Sequence, residues 1–212
     1  MNLKSIYTCL TSFCKKTILM YVLINYSQSL YSQQIYDTFE GGSMVHYNLK
    51  KGGKMDSAFV NPSKDKVNPS EKCAMYSRSR IRYDNIKMNL QGILSEAEQY
   101  ATYQGVPKKI KLKIFTSAPV GTLVEIHLGK NTGNAYPEGT HSQYQAFTTV
   151  SGKWEELEFK FSQIPPGSKT SPSEINQVTL LFNPYMNTSE IFYFDDLAGP
   201  SLNGSKNSNG GK

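Results

Sequence analysis

The chain has 212 residues, of which 38% are apolar and only 19% are charged. A chain of this length buries one core and rarely divides in two, so we expect a single domain with terminal tails. The small share of charged residues excludes long charged helices and coiled coils.

The first 32 residues have the order of a secretory signal peptide. Lys4, Lys15 and Lys16 precede the apolar run 17–24, and small and polar residues follow up to Ser32. This run is far shorter than the roughly 20 residues of a membrane-spanning helix. We therefore expect a secreted protein without a membrane span, cleaved after Ser29 or Ser32. The alternative is a disordered or buried N-terminal segment.

Removal of residues 1–32 changes the charge and the cysteine content of the chain. Three lysines and no acids leave, so the formal net charge falls from +6 to +3, and the compositional support for nucleic-acid binding is lost. Cys9 and Cys14 leave as well, so Cys73 is the only remaining cysteine and no intramolecular disulfide is expected.

Strand periodicity dominates from Ile35 to Leu197. Apolar and polar residues alternate strictly in 109–114 and 124–128, which is typical of strands with one buried face. The predicted strands are 45–49, 58–60, 72–76, 86–90, 109–114, 124–128, 144–150, 157–161, 178–182 and 191–194. Short strands separated by Gly-Gly and Asn-Pro turns predict an all-β fold, an antiparallel β-sandwich of the jelly-roll kind.

Two segments of the chain lack the strand pattern. Residues 95–103 form either a helical turn with Ser95 as its N-terminal cap or a loop on the rim of the sandwich. Residues 201–212 are rich in Gly, Asn and Ser, a composition typical of a flexible tail. The predicted organisation is thus a signal peptide over 1–32, a β-sandwich over 33–200 and a tail over 201–212.

The sequence contains no motif of a known catalytic or nucleotide-binding site. Its three histidines are scattered, which disfavours a metal site built on them. The candidates for acid–base chemistry are His127 with Glu125 on the solvent-exposed face of one strand, and His141 near Tyr144. Ordinary exposed polar residues of strands and loops explain these positions better, so we expect a protein that is not an enzyme.

The two ends of the predicted domain carry a more specific pattern. Phe39-Glu40 opens the domain, and the segment 192–197, Phe-Tyr-Phe-Asp-Asp-Leu, closes it. With the Asn-Pro segments at 61–62 and 68–69 and the Trp-Glu-Glu-Leu strand at Trp154, the chain resembles the galactose-binding-like jelly-roll modules of secreted bacterial polysaccharide-degrading proteins. The resemblance extends over about residues 36–200. It implies a non-catalytic carbohydrate-binding module.

The resemblance also implies a structural calcium ion. Calcium prefers oxygen ligands, which Glu40 with Asp195 or Asp196 would supply, and consecutive strand residues point to opposite faces. Only one of the two aspartates is therefore expected to be a direct ligand, and Asp195 is favoured. The alternative is that these acids end strands and face water.

Aromatic and basic side chains are the candidate glycan contacts. Sugar rings pack on aromatic rings, and the tyrosines predicted near loops are Tyr76, Tyr83, Tyr100, Tyr103, Tyr136, Tyr144 and Tyr185. In an extended segment, Arg78, Arg80 and Arg82 would share one face beside Tyr83, which would favour an acidic glycan. A solvated loop that keeps an edge strand from aggregating explains the arginines slightly better. Trp154 is expected in the core.

The expected function is therefore that of a secreted, monomeric glycan-binding module whose partner is a polysaccharide. The predicted ligand contacts are Tyr76, Arg78, Arg80, Arg82, Tyr83 and Tyr144. One alternative is a structural or adhesion module that binds other secreted or cell-surface proteins. Another is a small jelly-roll polysaccharide lyase.

Overall fold

The computed structural model describes residues 33–48, 52–132 and 135–203. Within these ranges the regular structure consists of antiparallel strands and two short 3-10 turns, Ala97–Gln99 and Pro172–Glu174. The strands are β1 (Gln34–Ile35), β2 (Val45–Asn48), β3 (Lys54–Val60), β4 (Lys72–Ser77), β5 (Ile86–Leu90), β6 (Ile110–Thr116), β7 (Leu123–Gly129), β8 (Thr140–Phe147), β9 (Trp154–Gln163), β10 (Gln177–Phe182) and β11 (Ile191–Gly199). No helix in the described ranges has the length and apolarity that crossing a membrane requires.

The strands form two sheets that share β9. Sheet A has the order β9-β6-β11-β4-β3, with β1 paired to the end of β11, and sheet B has the order β2-β5-β10-β7-β8-β9. The first part of β9 pairs with β6 up to Phe159, and its last part pairs with β8 from Lys160 onward. The predicted antiparallel jelly-roll sandwich is confirmed.

The core lies between the inner faces of the two sheets. In β6 and β5, buried residues alternate strictly with partly exposed ones, as a strand with one covered face requires. Phe182 of sheet B stacks on Phe192 of sheet A with ring centroids 4.5 Å apart and planes 9° apart. This contact joins the sheets at the centre of the core.

Some sequence predictions differ from the structure at the ends of elements. The 3-10 turn at Ala97 is preceded by Glu96 with φ of 57° and has no side-chain cap, so the predicted Ser95 cap is wrong. The boundary at residue 200 is also wrong, because Leu202 is buried in the core and pairs with Leu94. The signal peptide predicted over 1–32 and the tail beyond Asn203 lie outside the described residues.

The stacked pair between the sheets provides a test of the core. Phe182→Ala should lower the free energy of unfolding by about 3–5 kcal/mol, because a fully buried ring is lost and a cavity remains. Phe147→Ala, at a position 56% exposed, should change it by no more than about 0.5 kcal/mol. Urea denaturation measures both, and equal losses would contradict this account of the core.

Candidate functional site

The outer face of sheet B is polar across four neighbouring strands. Because side chains alternate along a strand, the residues between the core residues of β5, β10, β7 and β8 point away from the core. These outward residues are Lys87, Asn89, Gln177, Thr179, Glu125, His127, Gln143 and Gln145. They line, or lie beside, a cleft of about 550 Å³.

Amide side chains connect the floor of this cleft. Gln163 Nε2 donates to Gln143 Oε1 at 2.5 Å, and Gln143 Nε2 lies 3.0 Å from His127 Nε2. On the neighbouring strands β10 and β5, Gln177 Nε2 donates to Asn89 Oδ1 at 2.7 Å. Planar amides offer both donors and acceptors, so this floor can match the hydroxyl groups of a bound molecule.

Glu125 and His127 form a close pair in the floor. His127 Nε2 lies 2.5 Å from Glu125 Oε1, and Gln145 donates to Glu125 Oε2 at 2.7 Å. Burial alone would raise the pKa of the Glu125 carboxyl, but the hydrogen bonds from His127 and Gln145, together with the charge of His127, hold it below its ordinary value. The carboxyl is therefore ionised at neutral pH.

Three exposed tyrosines stand at the two ends of the cleft. Tyr83 precedes β5 and Tyr185 follows β10, and their rings form an edge-to-face pair with centroids 5.4 Å apart. Tyr136 lies in the loop between β7 and β8, at the opposite ends of the strands, with its ring centroid 5.8 Å from that of His127. All three are between 46% and 56% exposed, so their rings can contact a ligand.

A buried arginine holds the two loops that carry Tyr83 and Tyr185. Arg78 is 2% exposed, and its guanidinium donates to backbone carbonyls of both loops and of the last residue of β10. These acceptors are Ile81 O, Arg82 O, Phe182 O, Met186 O and Thr188 O, at 2.5–3.3 Å. Tyr185 itself adopts a left-handed backbone with φ of 71°, which costs free energy that these hydrogen bonds offset.

The structure supports only part of the predicted ligand-binding set. Tyr76 and Tyr144 are fully buried in the core, so both predictions of ligand contact are wrong. The prediction that Arg78 contacts the ligand is also wrong, because its guanidinium donates its hydrogen bonds to backbone carbonyls. The three arginines therefore do not form a row on one face. Tyr83 lines the cleft, and its contact with a ligand stays a prediction.

The other candidate residues lie at the edge of the cleft or away from it. Arg82 is exposed, with its guanidinium carbon 5.7 Å from the centre of the Tyr83 ring, while Arg80 is exposed outside the cleft lining. Tyr100 is buried, and the exposed Tyr103 packs on Phe161 outside the cleft lining. Sequence reasoning missed the floor amides, whose only signal was their alternation with apolar residues.

The three acids predicted as metal ligands have different environments. Glu40 Oε1 accepts the backbone N–H of Lys72 at 2.7 Å, at the start of β4. Asp195 is fully buried beside Cys73. Burial of the Cys73 thiol, and next the negative charge of Asp195, raise the pKa of that thiol to about 12. Asp196 pairs with Lys113 at 2.6 Å. Its carboxylate is already neutralised, so Asp196 fits poorly as a calcium ligand.

Asp195 is the fully buried member of the three predicted metal ligands. The side chains of Ser70 and Asn68 lie close enough to its carboxyl to act as hydrogen-bond partners that lower its pKa. Burial first, and then the charge of Asp196, raise the pKa of Asp195 to about 6. Among the described residues no group of three or more His, Cys, Asp or Glu side chains converges, so a cation here would also need amide, hydroxyl or backbone oxygens.

No protein-family model and no curated protein sequence matches the chain. Among solved structures, it is similar to a family 11 carbohydrate-binding module from Clostridium thermocellum in complex with a β-1,3-1,4-mixed-linked tetrasaccharide, with 15% identity over 80% of this chain and 96% of that chain and a TM-score of 0.49. A family 30 carbohydrate-binding module has 12% identity over 85% of this chain and 89% of that chain, with a TM-score of 0.43. An exo-β-agarase has 10% identity over 82% of this chain and 26% of that chain, with a TM-score of 0.49. These likenesses assign no role to any residue.

The buried arginine can be tested against an exposed arginine of the same segment. Arg78→Met should lower the free energy of unfolding by about 2–4 kcal/mol, because it leaves buried carbonyls without donors. Arg80→Met should change it by no more than about 0.5 kcal/mol, since Arg80 is exposed. Urea denaturation of the two variants decides, and equal stabilities would show that Arg78 does not hold the loops.

Proposed function

We propose that this chain is a secreted, monomeric, non-catalytic module that binds a polysaccharide in the cleft on the outer face of sheet B. The observation that carries the proposal is the set of exposed tyrosines at both ends of a floor made of amide side chains. Sugars present C–H faces that pack on aromatic rings and hydroxyl groups that bind planar amides. A rigid sheet that holds both kinds of group in one cleft suits a carbohydrate.

The charges of the cleft favour a neutral polysaccharide over an acidic one. Lys87 and the ionised Glu125 both line the floor, so the floor has no excess of positive charge that would attract the carboxylate or sulfate groups of an anionic glycan. The Lys130 side chain at the rim pairs with Glu174 at 2.9 Å. Arg78, the basic residue expected to start a row of arginines, is buried. The cleft therefore lacks the row of arginines that would have favoured acidic glycans.

The cleft makes two predictions about binding. A neutral polysaccharide such as mixed-linkage β-glucan or agarose should retard the protein in affinity electrophoresis, and calorimetry should give the same affinity at 0.1 M and 1 M salt, because stacking is not screened. Tyr83→Ala, Tyr136→Ala and Tyr185→Ala should each weaken binding by about threefold to tenfold. Tyr193→Ala removes a partly exposed tyrosine of sheet A, outside the cleft lining, and is the matched control.

Three outcomes would contradict the proposal. The protein could bind no polysaccharide of a panel that also contains alginate and polygalacturonate, or it could prefer the acidic members with an affinity that falls with salt. Equal losses in Tyr193→Ala and the cleft variants would show that the cleft tyrosines do not select the ligand.

One feature of the floor favours a second candidate, a polysaccharide lyase. The close Glu125–His127 pair is an arrangement that can move a proton, as the removal of a proton next to a uronate carboxyl requires. Incubation with alginate or polygalacturonate distinguishes the two functions. A lyase would produce the ultraviolet absorbance of unsaturated sugars, whereas a binding module would leave it unchanged.

We further propose one structural calcium ion bound by Asp195, with Glu40 and the Asn68 side chain as further oxygen donors near the start of β4. The complete burial of the Asp195 carboxyl and its raised pKa support this proposal, because a cation would stabilise the charged form of that carboxyl. When bound, the ion would neutralise Asp195 and connect the β11 end of the domain to its N-terminal segment.

Removal of calcium tests this site. A chelator should lower the melting temperature, since an ion that binds only the folded state stabilises it by about 2.7 kcal/mol at a hundredfold excess over its dissociation constant. Asp195→Asn should abolish the response, and Asp196→Asn should keep it, because Asp196 is paired with Lys113. Metal analysis near zero, with an unchanged melt in chelator, would leave Asp195 as a buried acid without an ion.

A further inference from the structure

A second depression lies beyond the cleft on sheet B. This distal groove has a volume of about 590 Å³ and lies between the end of β8 and the middle of β9. Its lining includes Gln145, Phe147, Glu155, Lys160 and Phe161. It takes no part in the cleft described above.

The distal groove exists because one strand serves both sheets. β9 pairs with β8 only from Lys160 onward, where Lys160 lies opposite Gln145. Before Lys160 it pairs with β6 of sheet A and moves away from β8. Phe147, the last residue of β8, therefore has no partner on β9 and stands at the open side of the gap, 56% exposed.

The cleft and the distal groove are neighbours on the outer face of β8. Gln145 lines the groove, and its Nε2 donates at 2.7 Å to Glu125 Oε2 in the cleft floor. Gln143, Gln145 and Phe147 alternate along β8 and so share its outer face. The tyrosines stand at the two ends of the strands, so among the described residues that line the cleft no tyrosine borders the floor on its side toward β8. From β5 to β9 the outer face of sheet B is roughly 19 Å wide at about 4.8 Å per strand.

The groove carries side chains suited to a sugar. The exposed Phe147 ring offers an apolar platform. The acids of the groove are already occupied, since Glu155 accepts the Thr149 hydroxyl at 2.6 Å and Glu156 pairs with Lys111 at 2.8 Å. Lys160 forms no ion pair within the described part of the chain, so its ammonium group can donate to hydroxyl groups.

We infer that the distal groove is a second subsite for the polysaccharide chain that occupies the cleft, with Phe147 as its stacking platform. This inference rests on the proposed function, since it concerns the same ligand. A chain that lies across sheet B and passes over Gln145 reaches Phe147, whereas a short fragment held between the tyrosines does not. The affinity should therefore rise with the length of the oligosaccharide beyond what the cleft alone can hold.

The test compares short and long fragments of one glycan. The probes are the trisaccharide and the octasaccharide of whichever neutral panel polysaccharide retards the protein most, with affinities measured by calorimetry. Phe147→Ala should weaken binding of the octasaccharide by about threefold to tenfold and leave that of the trisaccharide unchanged. Lys160→Gln should show the same dependence on length. Val60→Ala removes an exposed apolar side chain from sheet A and should change neither affinity.

The outcomes separate the two proposals. If the unaltered protein binds no polysaccharide of the panel, the proposed function fails. If it binds, but both variants bind the octasaccharide as the unaltered protein does, only the distal subsite is overturned. Equal weakening for the trisaccharide and the octasaccharide would also overturn it, because the substitution would then act through the cleft.

Discussion

The burial of one face of sheet B determines what its other face presents. Val124 and Ile126 of β7 point into the core, so Glu125 and His127 between them must point outward. The same constraint acts on β5, β10 and β8, where the stacked Phe182 and Phe192 fix the inner face against sheet A. A register slip of one residue would bring the polar row into the core, so the cleft floor is as strongly specified as the core.

The ends of the cleft depend on a different interaction. The carbonyl groups of loops lack the hydrogen-bond donors that neighbouring strands provide in a sheet. Here Arg78 donates hydrogen bonds to several carbonyl groups of two loops at once. Because the Arg78 guanidinium donates to backbone carbonyls, no carboxylate side chain has to be buried beside it. The same residue type that suggests an anion site in the sequence therefore acts here as a support for the aromatic rim.

Period-2 alternation allowed the strands to be predicted, because half-buried strands must alternate whatever their neighbours are. The ends of strands carry no such signal. Tyr76 near the end of β4 and Tyr144 within β8 look like rim tyrosines in the sequence, yet both are buried. The spacing of Arg78, Arg80 and Arg82 places them on one face only if the segment is extended, and the chain turns there instead.

The sequence by itself determined the all-β class, the positions of most strands and the resemblance to carbohydrate-binding jelly rolls, since these depend on local alternation and turn residues. Tertiary structure decided which tyrosines are exposed, because loops from distant parts of the chain meet only when β5 and β10 pair. It also decided where the distal groove opens. That groove requires β9 to leave one sheet for the other, and a long amphipathic strand shows no sign in its residues of where it changes partners.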